Sequence, residues 1–288
     1  MAEAKVAVIG GSGLYDFEGL ADIQEVKPDT PFGEPSDTIV VGTLAGTRVA
    51  FLPRHGRGHR LNPTSIPVRA NIFALKLLGV ERVISISAVG SLKEEVRPLD
   101  LVVPDQLIDR TRQRTSTFFD SGLVAHVGFA DPFCPDLSTI LAHAATEEGA
   151  TVHQGGTYVV MEGPAFSTRA ESFLYRSWGA SIIGMTALPE AKLAREAEMC
   201  YATLACATDY DCWHETEEAV TVEMVVANLL RNVARSKNIL QRIMPHLAGE
   251  RACTCGSALE SAIITARDSI PQETRELLAP LVGKYVGA

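Results

Sequence analysis

The chain contains no run of 18 apolar residues, so no segment reads as a membrane-spanning helix. Its first apolar stretch ends after about five residues at Gly10 and Gly11, too short for a secretory leader, which points to the cytoplasm. Basic residues are in the minority: 26 Lys plus Arg against 35 Asp plus Glu leave a formal net charge of -9. Such a balance argues against a nucleic-acid partner, whose phosphates are met by clustered Lys and Arg. Any anion this chain binds has to be caught locally. Cysteine is also scarce, with six residues (134, 200, 206, 212, 253 and 255) among 288, and they read as buried free thiols rather than a disulfide framework. There is no Gly-x-Ser-x-Gly elbow for a serine hydrolase and no Gly-Lys-Ser/Thr for a P-loop.

Linker-like Gly, Ser or Pro tracts and internal repeats are missing too. What remains is a regular alternation of strand and helix signals. Lys5 to Ile9 is β-branched and stops at Gly10-Gly11-Ser12-Gly13. Thr38 to Leu44 and Arg48 to Leu52 flank Ala45-Gly46 as a hairpin, and Val83 to Ser87, Leu101 to Val103 and Thr157 to Met161 read as further strands. Val68 to Leu78, Asp136 to Glu148 and Thr168 to Trp178 each have helical spacing and stop at a glycine. Pro189 to Glu198 opens on a proline suited to a first helical turn. Cys200 to Ala207 reads as a doubly buried strand and Thr221 to Leu247 as a long amphipathic helix. This pattern predicts an α/β fold, one domain built on a central mixed, largely parallel twisted sheet flanked by helices. Residues 1–248 form its core, and 249–288 a C-terminal helical extension packed on the same domain.

In such sheets ligands sit beyond the carboxyl ends of strands, so the residues following each strand carry the functional information. Gly10-Gly11-Ser12-Gly13 offers backbone N–H groups and a hydroxyl to an anion, or is merely a tight turn. A dinucleotide fingerprint fails there, because Asp16 stands where a third glycine belongs. Arg54-His55-Gly56-Arg57-Gly58-His59-Arg60 reads as a cationic anion trap or a solvated basic loop. Ser87-Ala88-Val89-Gly90-Ser91 reads as another small-residue turn, and Gly184-Met185-Thr186 as a fourth candidate. Hydroxyls, backbone N–H groups and Arg54 would then share one phosphate without metal.

Thr208-Asp209-Tyr210-Asp211-Cys212-Trp213-His214 is the most specific segment. In an extended chain Asp209 and Asp211 face one side, and two carboxylates leaving an apolar strand split their protonation. One donor and one acceptor result, the complement of adenine N7 and N6. A metal site from Asp209, Asp211, Cys212 and His214, or a solvated acidic loop, are the rival readings.

Gly10-Gly11-Ser12-Gly13-Leu14, Thr30-Pro31-Phe32-Gly33, Arg54-His55-Gly56, Arg69-Ala70-Asn71-Ile72, Ala88-Val89-Gly90-Ser91-Leu92, Glu162-Gly163-Pro164, Met185-Thr186 and Ala207 to Trp213 occur in that order. From Val6 to about Leu247 this set resembles the S-methyl-5'-thioadenosine phosphorylases of the purine nucleoside phosphorylase superfamily. The resemblance implies phosphorolysis of methylthioadenosine to adenine and 5-methylthioribose 1-phosphate, with no cofactor and no metal. It also implies a homotrimer, with pairing of trimers into a hexamer left open. By motif matching Ser12, Arg54, His55, Ser87, Ala88 and Thr186 would hold phosphate. Met185 would lie under the ribose, with Phe166 and Ser167 bordering the base. Asp209 would act as the catalytic acid, reading adenine together with Asp211. Val222 would keep the 5' pocket apolar, and His126 would come from a neighbouring subunit. Ser12 and Ser87 stand where many relatives carry Thr, and Gly184 where some carry Asn. Cys253-Thr254-Cys255 resembles a Cys-x-Cys pair linked to disulfides in some thermophilic relatives, against the reading of two free thiols. A broader purine nucleoside or methylthioinosine phosphorylase, and a nucleoside-binding module without turnover, are the alternatives.

Overall fold

The computed structural model describes residues 3–11, 14, 17, 19–214 and 222–287, without the side chains of 222, 224, 225 and 229. In chain order the strands are β1 (Val6–Gly10), β2 (Ala21–Val26), β3 (Ile39–Leu44), β4 (Thr47–Pro53), β5 (Arg82–Ser91), β6 (Leu101–Val103), β7 (Gln106–Arg110), β8 (Val152–Gln154), β9 (Thr157–Met161), β10 (Ile182–Gly184) and β11 (Cys200–Asp209). The helices are α1 (Val68–Leu77), α2 (Pro135–Glu147), α3 (Arg169–Ser177), α4 (Ala187–Glu196), α5 (Val222–Ile243), α6 (Gln272–Leu277) and α7 (Ala279–Val286). All eleven strands join one mixed sheet. The helices lie on its faces, so the α/β expectation holds.

The local chemistry matches the boundaries. Thr168 caps α3, its hydroxyl accepting from Glu171 N–H while the Glu171 carboxylate accepts from Thr168 N–H. Leu188 is extended inside α4, so the regular helix starts at Pro189, as the sequence suggests. β1 and β11 are buried at every position, which their unbroken apolar runs require. Leu259, Ile270, Leu278, Leu281 and Val282 join the same core cluster as Ala7, Ile72 and Val83, so the C-terminal segment is packed on the sheet's own domain.

The sheet divides where β1 ends. β5 pairs parallel with β1 from Arg82 to Ser85, runs on beside β11, and meets the antiparallel β10 at Gly90 and Ser91. The segment Ser87 to Ser91, expected as a turn, is therefore the far half of a ten-residue strand. Its small residues let three strands converge there. The ends of β1, β4, β10 and β11 face the same gap.

Candidate active site

A cavity of about 780 Å³ opens at this divide. Arg54, His55, Ser87, Ala88, Met185, Thr186, Phe166, Asp209 and Asp211 all line it. The fold thus brings together nine of the thirteen sequence-predicted site residues from five separate stretches of chain. Ser12 lies outside the described residues. Val222 opens α5, but its side chain is likewise not described. Ser167 stands just behind the wall, its carbonyl accepting from the Cys212 thiol at 3.3 Å. His126 is exposed away from this chain's own cavity, tied to the C-terminal segment by its N–H to Ala262 O at 2.8 Å.

At one end of the cavity the hydroxyls of Ser87 and Thr186, 99 residues apart in sequence, meet at 3.2 Å. Arg54 differs from the expectation of a basic trap. It is 2% exposed and forms a two-pronged pair with Glu190, itself 1% exposed, through Nε at 2.9 Å and Nη2 at 3.1 Å. Its remaining donors reach Ile86 O, Ile9 O and the Ser85 hydroxyl. Burial works against the guanidinium charge, and the Glu190 carboxylate outweighs it. The pair is electrically closed, and Nη1, with Ile86 O as its acceptor, keeps one further N–H. His55 is not a cation either: burial holds its imidazole down to about 4. Its Nδ1 sits 2.8 Å from Leu61 O, so in the neutral ring Nδ1 donates and Nε2 keeps its lone pair. Arg57 and Arg60 pair with Glu25 and Asp37. This end therefore offers an anion hydroxyls, backbone N–H groups and one guanidinium edge, because Arg54, Arg57 and Arg60 are paired and the His55 pKa is lowered.

At the other end stand Asp209 and Asp211, 6% and 7% exposed. They do not share a face of an extended strand. Asp209 closes β11 after a bulge, and Asp211 lies in a turn with φ of 51°. Its N–H donates to Asp209 Oδ1 at 2.8 Å, while the Thr208 hydroxyl donates to Oδ2 at 2.7 Å. Both carboxylates are brought over Gly90, where an added Cβ would meet Asp209 Oδ1 at 3.0 Å and Asp211 Cβ at 3.3 Å. Burial raises both acids above the ordinary carboxylate range, and the neighbouring Asp209 charge adds to the rise at Asp211. Trp213 pins the turn by donating to Ser91 O at 2.7 Å, under the Arg176 guanidinium. His214 pairs with Glu94 and stacks on Tyr210, apart from the carboxylates, so the proposed Asp, Cys and His metal set does not form.

Between the ends, Met185 packs against Gly163, whose φ of 68° and close approach favour glycine. Glu162 gathers the Thr64 hydroxyl, the Arg112 and Gln113 backbones and Arg114. Three residues went unread in the sequence. Val226 and Leu230 line the cavity from α5, and with Val222 they follow i, i+4, i+8 spacing, the signal that marks one helix face. Glu190, the counter-ion of Arg54, was hidden in an ordinary amphipathic helix.

Residues 5–245 match the Phosphorylase superfamily. The S-methyl-5'-thioadenosine phosphorylases of Koribacter versatilis and Geobacter sulfurreducens are each 58% identical over 285 residues. Each alignment covers 99% of this chain, and 98% and 100% of those proteins respectively. A crystal structure of a methylthioadenosine phosphorylase sourced from an antarctic soil metagenomic library superposes with a TM-score of 0.93 at 50% identity, covering 98% of this chain and 99% of that one. The Schistosoma mansoni methylthioadenosine phosphorylase in complex with adenine gives 0.84 at 36% identity, over 91% of this chain and 99% of that one.

Proposed function

The chain belongs to the Phosphorylase superfamily, and from that premise we propose that it phosphorolyses S-methyl-5'-thioadenosine to adenine and 5-methylthioribose 1-phosphate. The observation that carries this reading is the placement of two buried, pKa-raised carboxylates and a hydroxyl pair at opposite ends of one cavity. Breaking the glycosidic bond leaves positive charge on the sugar and negative charge on the base. Phosphate, bound at Ser87, Thr186, the Ala88 backbone and Arg54, stabilises the first and attacks the anomeric carbon. Neutral His55 accepts from a protonated phosphate oxygen through Nε2. Asp209, whose pKa burial raises toward the protonated form, donates a proton to N7 as the base departs. Asp211 accepts from the N6 amino group.

The same pair selects the base. A 6-oxopurine presents acceptors at both N7 and O6, which an ionised Asp211 repels. Val226 and Leu230 give the sugar's 5' end an apolar wall suited to a methylthio group. A 5'-hydroxyl buried there without a partner costs roughly 1–3 kcal/mol. Phosphate is a co-substrate, and the reaction calls for no cofactor. The assembly is a trimer in which His126 reaches a neighbour's cavity, and the protein works in the cytoplasm, where the salvage of purine and methionine proceeds. Among the described residues no helix is long and apolar enough to cross a membrane.

The test is to incubate the protein with methylthioadenosine, adenosine, inosine and methylthioinosine, with and without phosphate, and to follow free base. Release is expected from methylthioadenosine first, adenosine second, and only with phosphate present. Preference for the 6-oxopurines would favour the broader phosphorylase, and no release from any of the four would leave only a binding module.

A further inference from the structure

Four of the six cysteines meet at a point remote from the cavity. Cys134 is the residue preceding the first turn of α2, Cys200 opens β11, and Cys253 and Cys255 flank Thr254 at a short 3-10 turn in the C-terminal segment. Their sulfur atoms all lie within 4.8 Å of one another, with Cys200 and Cys253 at 3.3 Å. Cys134, Cys200 and Cys255 are buried, and Cys253 is half-buried, which leaves one side for entry. Among the described residues no other group of three or more His, Cys, Asp or Glu side chains is close enough to share an ion.

Packing alone does not account for this. A free cysteine fills space as a small hydrophobe, and that role does not require four of them, from three distant stretches, to aim at one centre. Nor is any pair at the roughly 2.05 Å of a disulfide. Four thiolates held at about 2.3 Å around a zinc ion form a tetrahedron whose corners are about 3.8 Å apart. The 3.3 Å between Cys200 and Cys253 and the 4.8 Å within which all four sulfurs lie bracket that value. Thiols held this close bind a dication as thiolates, each giving up its proton as the metal enters. The Arg251 side chain, which stands against Gly256, donates to Glu198 O at 2.8 Å and pairs with Glu81 at 3.5 Å, fixing the turn that carries Cys255.

We propose that Cys134, Cys200, Cys253 and Cys255 form a closed tetrathiolate site for a zinc-class ion that staples the C-terminal segment to the sheet. Binding replaces each remaining S–H bond with a metal–sulfur bond, the protons pass to water, and no atom changes oxidation state. The role is structural. Cys200 and Asp209 lie at opposite ends of β11, about 30 Å apart at roughly 3.3 Å per residue. The four sulfurs saturate a tetrahedron and leave no position for substrate. The ion adds to a junction already held by Arg82 on Leu247 O and Gly249 O and by Glu198 on Leu259 N–H and Lys284.

The experiment uses the full chain, reduced and purified without chelator from zinc-supplemented cells. Elemental analysis is expected to find one zinc ion per chain, and cobalt exchanged into the protein is expected to give the intense visible bands of a tetrahedral thiolate complex. Cys134→Ser and Cys255→Ser abolish both signals. Cys206→Ser keeps them, since the Cys206 sulfur faces the Ser236 hydroxyl instead. Stripping the zinc lowers the thermal midpoint by several degrees and leaves the rate of adenine release at 25 °C unchanged. Should a variant fail to fold, the cobalt spectrum of the unaltered chain still decides. A fully reduced protein that takes up neither metal overturns the proposal. So does alkylation without reductant that finds the four sulfurs paired as disulfides.

Discussion

Asp209 carries the most chemistry for the least exposed surface. Its two oxygens accept from Asp211 N–H and the Thr208 hydroxyl, which lower its pKa, yet burial wins and the net shift is upward. That direction favours the protonated form, the one the proposed role as acid requires. Asp209→Ala is expected to lose on the order of 10²- to 10⁴-fold in kcat, a range typical of general acid–base groups, measured as single-turnover adenine release. The pH dependence follows from the sign of the shift. Activity that needs the protonated form is flat at low pH and falls as pH rises through the raised pKa, so kcat/KM of the unaltered protein declines on the alkaline side. Stability moves the same way, because a carboxyl with a raised folded pKa contributes stability that is lost as pH climbs through it. Asp209→Asn therefore flattens the dependence of Tm on pH while remaining slow. The sequence exposed this residue through its setting, two acids at the end of an apolar strand. It gave the wrong geometry for the pair, since a left-handed Asp211 cannot be read from alternation. The basic loop misled for another reason: the charge of Arg54 is cancelled by Glu190, 136 residues away, and only the fold brings them together.

At the scale of elements, the strands that the sequence revealed are those buried on both faces. β1, β4 and β11 are dense in apolar or β-branched residues, and their limits fall within a residue or two of expectation. β2 was invisible because it is an exposed edge strand, Ala-Asp-Ile-Gln-Glu-Val, with no apolar face to betray it. β7 and β8 are short and polar for the same reason. The extension of β5 through Ser91 escaped notice because small residues that usually mark a turn here make room for converging strands. β10 gives this crowding a test. A Cβ at Gly184 would overlap the hydroxyl of Tyr158, which is fully buried on β9. The phenol occupies the space a side chain at 184 would take. Gly184→Ala is expected to destabilise the fold by about 1–3 kcal/mol, the usual cost of overpacking. Adding Tyr158→Phe is expected to return most of that loss in denaturant unfolding. A double variant no more stable than Gly184→Ala alone would show that the two residues do not compete for one space.

Over the whole molecule, the acidic surface and the anion-binding cavity are compatible because the phosphate end holds so little free charge. The whole chain carries a net charge of -9, while in the proposed function one buried ion pair, a neutral histidine and two hydroxyls meet the anion at short range. The sheet's divide sets the distance between that end and the carboxylates, so in the proposed function the fold itself spans a nucleoside with phosphate on one side and base on the other. This span is the central claim, and the chemistry it dictates is transfer of the sugar to phosphate rather than to water. The most direct measurement is phosphorus NMR of the protein with methylthioadenosine and inorganic phosphate, adenine being followed in parallel. The account predicts that the inorganic phosphate signal falls and a sugar 1-phosphate signal rises, one for each adenine released. Adenine appearing while the phosphate signal stays constant would contradict it.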